Sequence, residues 1–321
     1  MSLPPTDPRY RPLLAAVPRV TSGGVEMDIG DRVVEVEGDP LEVARLLSLC
    51  DGSRTVEQLA AAGDVEPAEL RQLVGQLTGE SALIDCGEAW RLFQAASSPT
   101  SPLLRPASAE EVDAAAEARF SPSRRGPALP LAPTSTELDR PLSRRRSSTA
   151  SDPSRPVTFE ELSTLLAQMY GGEAPGRRAV PSGGGLYPLV LHVALADRLG
   201  PAAAGTWWHD APAATLHAVR AGAEERRRIF VPAADTFAHL ERGQPVVVIS
   251  AEIARVAQKY GPRAYRLALL EGGAAMQNAY LAAASLGVPV RAMLGIDEAG
   301  AAEALELRDG TVPLLALFVG I

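Results

Sequence analysis

The sequence predicts an α+β protein of two unlike units, and three observations predict it. The stretch from Pro262 to Leu286 is long and apolar on most faces (Leu267, Leu270, Met276, Ala279, Leu281, Ala284), the mark of a helix in the middle of a domain. Around it stand short apolar runs, Leu189 to Ala196, Gln244 to Ser250, Val288 to Leu294 and Leu314 to Val319, which read as strands able to pair antiparallel. A separate N-terminal stretch carries its own hairpin and short helices, and a Pro- and Ser-rich segment divides it from the rest. A chain of 321 residues is comfortable for two such units.

Residues 1–94 form the first unit. Val25 to Val36 alternates and turns at Gly30-Asp31, as a hairpin does. Pro40 to Leu49 has helical spacing and stops near Asp51-Gly52, Thr55 is a good N-cap for Val56 to Ala62, and Pro67 opens a helix with a Leu70, Leu73, Val74, Leu77 stripe. Leu83 to Asp85 closes the unit as a strand, giving a winged-helix-like outline. Residues 95–139 are a linker poor in large apolar side chains, interrupted by one short helix over Ala109 to Arg119. Residues 140–321 are the second unit. It opens with a helix over Glu160 to Tyr170, capped by Thr158 with Glu161 in the capping-box position, and includes a hairpin over Thr206 to Val219.

The composition, 46% hydrophobic and 22% charged, is that of a globular protein. The net charge of -8 argues against nucleic acid or an anionic membrane as partner. One local exception runs from Arg140 to Arg155, with five arginines and one acid, and points to a small anionic ligand such as a phosphate. Cys50 and Cys86 form no CxxC and no Cys/His cluster, so no metal site is expected and both read as buried, inert thiols. No signal-peptide pattern and no run long enough to span a membrane is present, which places the expected location in the cytoplasm.

Four motifs carry chemistry. In Arg177-Arg178-Ala179-Val180-Pro181-Ser182-Gly183-Gly184-Gly185-Leu186-Tyr187-Pro188, three glycines allow backbone to approach a flat ligand; alone, the string is a surface loop. Arg144-Arg145-Arg146-Ser147-Ser148 offers guanidinium and hydroxyl donors to a phosphate; alone, it is a solvated basic stretch. In Gln258-Lys259-Tyr260-Gly261-Pro262, the proline places Lys259 and Tyr260 on a turn ahead of the long helix, where both side chains can face one site as proton carriers; alone, this is a helix start with Tyr260 packed as a staple. Last, Glu271-Gly272-Gly273 and Gln277-Asn278 put two glycines and two amides into an apolar helix, which needs either close helix packing or a ligand.

Taken in order, these motifs resemble the nitroreductase superfamily from about Arg140 to Ile321, specifically its SagB-type thiazole/oxazole dehydrogenases. The Lys-Tyr pair is the most specific part of the match. The resemblance implies an α+β homodimer with FMN at the subunit interface. It places Arg145 and Ser147 at the flavin phosphate and ribityl chain, with Arg144, Arg146 or Arg178 as the candidates to replace the basic residues this chain lacks. Pro181, Ser182, Gly183 and Gly184 lie against the isoalloxazine, Gln277, Asn278, Leu294 and Gly295 lie near it, and Lys259 and Tyr260 are the catalytic pair. Two departures stand out: Thr149 occupies a place where the family pattern has a basic residue, and Gly320-Ile321 lacks a terminal basic residue.

The resemblance implies oxidation of azoline rings in a ribosomally made precursor peptide to azoles, with Tyr260 or Lys259 removing the acidic Cα proton and FMN as the electron acceptor. The implied partners are that peptide and a cyclodehydratase complex. The N-terminal outline looks like the leader-recognition modules of peptide-modifying enzymes, which bind by strand addition, and equally like a packing domain. Two other functions fit the same fold: an NAD(P)H-dependent nitro- or quinone reductase, and a non-catalytic scaffold.

Overall fold

The computed structural model describes residues 4–29, 32–97, 108, 110, 133–148, 155–172, 176–232, 240 and 243–320. The Gly30-Asp31 turn, all but one residue of the helix over Ala109 to Arg119, most of the 95–139 segment, Thr149 and Ile321 lie outside these residues.

The first unit runs β1 (Pro12–Leu14), β2 (Val17–Val20), β3 (Gly24–Asp28), β4 (Val33–Glu37), α1 (Pro40–Ser48), α2 (Val56–Gly63), α3 (Pro67–Gly79) and β5 (Leu83–Asp85). Strands β2, β3 and β4 form an antiparallel sheet, and β1 pairs with β5 through Leu13 and Ile84. The helix ends follow local chemistry. The Asp39 carboxylate accepts from the amides of Leu41 and Glu42, Thr55 and Gln58 form a capping box, and Asp64 ends α2 in the left-handed region at φ 55°. Tyr10, Met27, Leu47, Leu59, Leu70 and Leu77 fill a core of their own. Strands β1 and β2 escaped sequence reading because each is short and contains a proline. Cys50 is buried and Cys86 half-buried; both are free, and burial raises both thiols, that of Cys50 to about 11.

The chain then enters α4 (Trp90–Ser97), α5 (Asp139–Arg144) and α6 (Phe159–Tyr170), followed by β6 (Leu189–Leu195), β7 (Gly205–Asp210), β8 (Thr215–Ala221), α7 (Glu225–Arg228) and β9 (Val246–Glu252). It continues through α8 (Ile253–Tyr260), α9 (Ala264–Leu286), β10 (Val290–Met293), α10 (Glu298–Ala304) and β11 (Thr311–Val319). The sheet order is β10-β11-β9-β6-β7-β8, antiparallel throughout.

Both faces of this sheet are covered. Val247, Ile249 and Ala251 of β9 point into the core shared with α6 and α9, while Val246 and Val248 point into a second core with Phe230, Ala301 and Phe318. The two-residue period of a strand sends alternate residues to opposite cores, so both sets must be apolar, and the strand reads as one continuous run. Gly272 lets α9 approach the sheet closely: a β-carbon there would stand 2.9 Å from Leu314 Cδ1. Trp90, 1% exposed, belongs to this larger core although it lies within the span expected for the first unit. Among the described residues no helix is long and apolar enough to cross a membrane.

Candidate functional site

The glycine loop is built on α6 and β6. Thr158 caps α6 as expected, with the full capping box to Glu161, and the helix ends at Gly171, whose carbonyl accepts from Ala179 N–H. Tyr170, in the last turn, stacks edge-on with Tyr187 at 6.5 Å between centroids. The Arg178 guanidinium lies 5.9 Å above the Tyr170 ring and 5.6 Å above that of Tyr187. Between them Gly183–Gly185 makes a single 3-10 turn, with Gly184 and Gly185 both at φ 66°. Asn278 Nδ2 donates to the Ala179 carbonyl at 3.1 Å, tying the loop to α9. Pro181 is exposed and Ser182 and Gly183 half-buried.

Lys259 and Tyr260 reach this loop from the other side. The sequence places them on a turn, and the structure corrects that: they close α8, which runs through Tyr260 and stops at Gly261, φ 54°. Pro262 restricts only the residue before it, so the helix can persist through Tyr260. Tyr260 itself has already left regular helix geometry, at φ -114° and ψ -2°. The long helix accordingly begins at Ala264, after a 3-10 turn over Gly261–Arg263. Despite lying on a helix, both side chains converge on one point: a β-carbon on Gly184 would stand 2.7 Å from Lys259 Nζ and 2.7 Å from Tyr260 Oη. Lys259 Nζ is 5.5 Å from the Tyr260 ring centre.

Under the loop is a buried carboxylate to which the sequence reading gave no role. Glu271 accepts from Tyr170 Oη at 2.9 Å, and the Ser182 hydroxyl lies beside the same carboxylate. Burial pushes its carboxyl above the usual range, against the hydrogen bonds of Ser182 and Tyr170. Its signal in the sequence was its isolation, since no other charge follows in α9 after Arg266.

The basic cluster is elsewhere. The Arg145 guanidinium lies 5.7 Å over the Tyr280 ring, and Ser147 Oγ and Tyr280 Oη are 3.1 Å apart. Tyr280 Oη also accepts from Ala292 N–H at 2.9 Å, and Ser148 N–H donates to Val290 O, which fixes the segment to α9 and β10. Arg146 turns back to donate to the carbonyls of Ser143 and Arg145. Leu294, 70% exposed, and Gly295 follow β10.

Helix geometry explains the separation. Nine residues of α-helix turn through about 900°, so Glu271 and Tyr280 face opposite ways. The two amides divide likewise: Asn278 faces with Glu271, and Gln277 lies nearer Tyr280, as does Gly273. A β-carbon on Gly273 or on Gly295 would meet nothing within 4 Å. One chain therefore brings together Ser182, Gly183, Gly184, Lys259 and Tyr260, with Pro181, Arg178 and Asn278 beside them. It sets Arg145, Ser147, Gln277 and the open glycine positions on the far side of α9. A groove of about 1150 Å³ runs between α6, α9 and the β7–β8 hairpin, with Arg177, Arg178 and His209 on its walls.

Residues 142–321 match the Nitroreductase family model. The chain is 31% identical over 168 residues to the nitroreductase MJ1384 of Methanocaldococcus jannaschii, covering 52% of this chain and 82% of that protein. It is 28% identical over 169 residues to the microcin B17-processing protein McbC of Escherichia coli, covering 51% of this chain and 62% of McbC. Among solved structures, the E. coli microcin synthetase McbBCD complex with truncated pro-MccB17 bound contains a chain of the same fold (TM-score 0.56, 22% identity), covering 73% of this chain and 93% of that one.

Proposed function

The chain belongs to the nitroreductase family, an oxidoreductase family, and from that premise we propose that it is an FMN-dependent dehydrogenase that oxidises thiazoline or oxazoline rings of a ribosomally made precursor peptide to thiazoles or oxazoles. The observation that carries this reading is the meeting of Lys259 Nζ and Tyr260 Oη over Gly184. An amine and a phenol at one point on a glycine-floored surface suit proton removal from a flat substrate ring. The similarity to McbC supports a peptide-processing role.

The residues fit a flavin. Arg145 and Ser147 provide a guanidinium and a hydroxyl for its phosphate. Gly273 and Gly295 leave room along α9 for its ring system. When bound, FMN supplies the two-electron acceptor. The chain's own residues handle the proton. The azoline Cα–H is acidified by the ring nitrogen and the carbonyl, and the base that takes it is Tyr260 as phenolate or Lys259 as free amine. The second hydrogen leaves Cβ with the electron pair, and the ring becomes aromatic. A homodimer accounts for the split between the two clusters, the basic cluster of one copy completing the Lys-Tyr site of the other. The peptide and a cyclodehydratase complex are the partners on this reading, with the N-terminal unit as the leader-binding module.

The test is mass spectrometry of an azoline-containing peptide incubated with the protein, FMN and air. Loss of two hydrogens per ring, abolished in Lys259→Ala with flavin still bound, is the expected result. An unchanged peptide with flavin bound and rapidly reduced by NAD(P)H would replace this reading with a nitro- or quinone reductase, and isolation without affinity for flavin would replace it with a scaffold.

A further inference from the structure

The segment Tyr187-Pro188-Leu189 links the glycine loop to β6, and a hydroxyl holds each of its ends. Tyr187 N–H donates to Ser182 Oγ at 2.8 Å, and Leu189 N–H donates to Tyr170 Oη at 3.1 Å. A hydroxyl that accepts in this way still has one proton to donate. Tyr170 gives its proton to Glu271 Oε1, and the Ser182 hydroxyl lies beside the same carboxylate. Glu271 is 5% exposed, so its oxygens have little water to satisfy them. Tyr187 meanwhile sits at φ 46°, a backbone region that a tyrosine holds only when its surroundings impose it.

We propose that Glu271 is a positioning residue for the reaction: by accepting from Tyr170, which in turn holds Leu189 N–H, it locks the end of the Ser182–Leu189 segment and so sets Gly184 against Lys259 and Tyr260. The catalytic part of this inference rests on the dehydrogenase reading; the positioning part does not. Glu271 touches neither Lys259 nor Tyr260 among the described hydrogen bonds and acts through the loop. A carboxylate is needed because it only accepts. Glutamine has the same shape but offers one acceptor oxygen in place of two, and its NH2 group can only donate, so it no longer accepts from the Tyr170 hydroxyl at that position.

The experiment compares wild type, Glu271→Gln and Tyr170→Phe by steady-state kinetics on an azoline peptide, by flavin content, and by hydrogen–deuterium exchange over residues 182–189. For Glu271→Gln the expected result is a fall in kcat of about 100-fold, the scale on which an ångström of misplacement acts. KM should change less than about threefold, flavin should be retained, and the 182–189 amides should exchange faster. Tyr170→Phe removes the hydroxyl that joins Glu271 to Leu189 and should show the same loss in smaller measure, which keeps the test open if Glu271→Gln does not fold. A Glu271→Gln protein with wild-type kcat, or with unchanged protection of the segment, overturns the proposal. If wild type itself leaves the peptide unoxidised, the dehydrogenase reading fails, and the exchange measurement still decides whether Glu271 holds the loop.

Discussion

The phenol oxygen of Tyr260 lies 2.7 Å from where a β-carbon on Gly184 would stand, and that carbon would meet Lys259 Nζ at the same distance. The loop needs glycine here twice over, once for its φ of 66° and once for the space above it. Both clashing atoms are the far ends of flexible side chains, which can swing away. Gly184→Ala should therefore cost only the left-handed backbone penalty, about 1–2 kcal/mol, in a denaturant titration. Turnover should suffer far more, because the displaced atoms are the proposed reacting ones. A variant as active as wild type would remove the pair from this position.

The opposite placement of Arg145 and Lys259 across α9 makes subunit complementation decisive. If the basic cluster of one copy serves the Lys-Tyr site of the other, Arg145→Ala and Lys259→Ala chains are each inactive alone. Mixed and reassociated, they form heterodimers with one intact site, and statistical mixing restores about a quarter of wild-type activity. If one chain supplies both clusters to the same site, mixing restores nothing.

Trp90 joins the connection from the first unit to the core of the second. It is 1% exposed, α4 packs on α9, and Gln94 Nε2 donates to Glu298 at 2.8 Å. Trp90→Ala should lower unfolding free energy by about 3–5 kcal/mol, the range for truncating a fully buried large aromatic. The midpoint of a urea titration followed by circular dichroism checks this, and a loss below about 1 kcal/mol would show that the site collapses around the cavity.

Acid should destabilise the protein through a buried histidine. His192, on β6, is buried with no partner at Nδ1, and burial pushes its imidazole from 6.5 down to about 4. The folded state thus resists a proton that the unfolded chain accepts. Its contribution is whole above pH 6.5 and is lost as pH falls toward 4, on the order of 3 kcal/mol in all. Burial lowers His209 as well, in the same direction. Thermal melts across this window should show a shallower decline for His192→Leu than for wild type; parallel curves would assign the acid sensitivity to carboxylates alone.

Much of the fold was legible because its determinants are local. The Thr55 and Thr158 caps, the Pro67 helix start and the β9 run each depend on neighbouring residues, and each stands where the sequence placed it. The Lys259–Tyr260 pair was found by motif, but its setting was misread, because a proline two residues on says where a helix must have ended and not how far the preceding helix reaches. Only tertiary structure could seat Trp90 in the second core, join Glu271 to Tyr170, or set Arg145 and Lys259 on opposite sides of α9. Those relations connect residues up to about two hundred positions apart. Sequence by itself determines which residues carry caps, glycine freedom and charge. Which of them meet is decided by how two-sided burial of one sheet orients α9, since a helix that must bury Ala268, Gly272, Ala275 and Ala279 against that sheet leaves its polar residues no choice of direction.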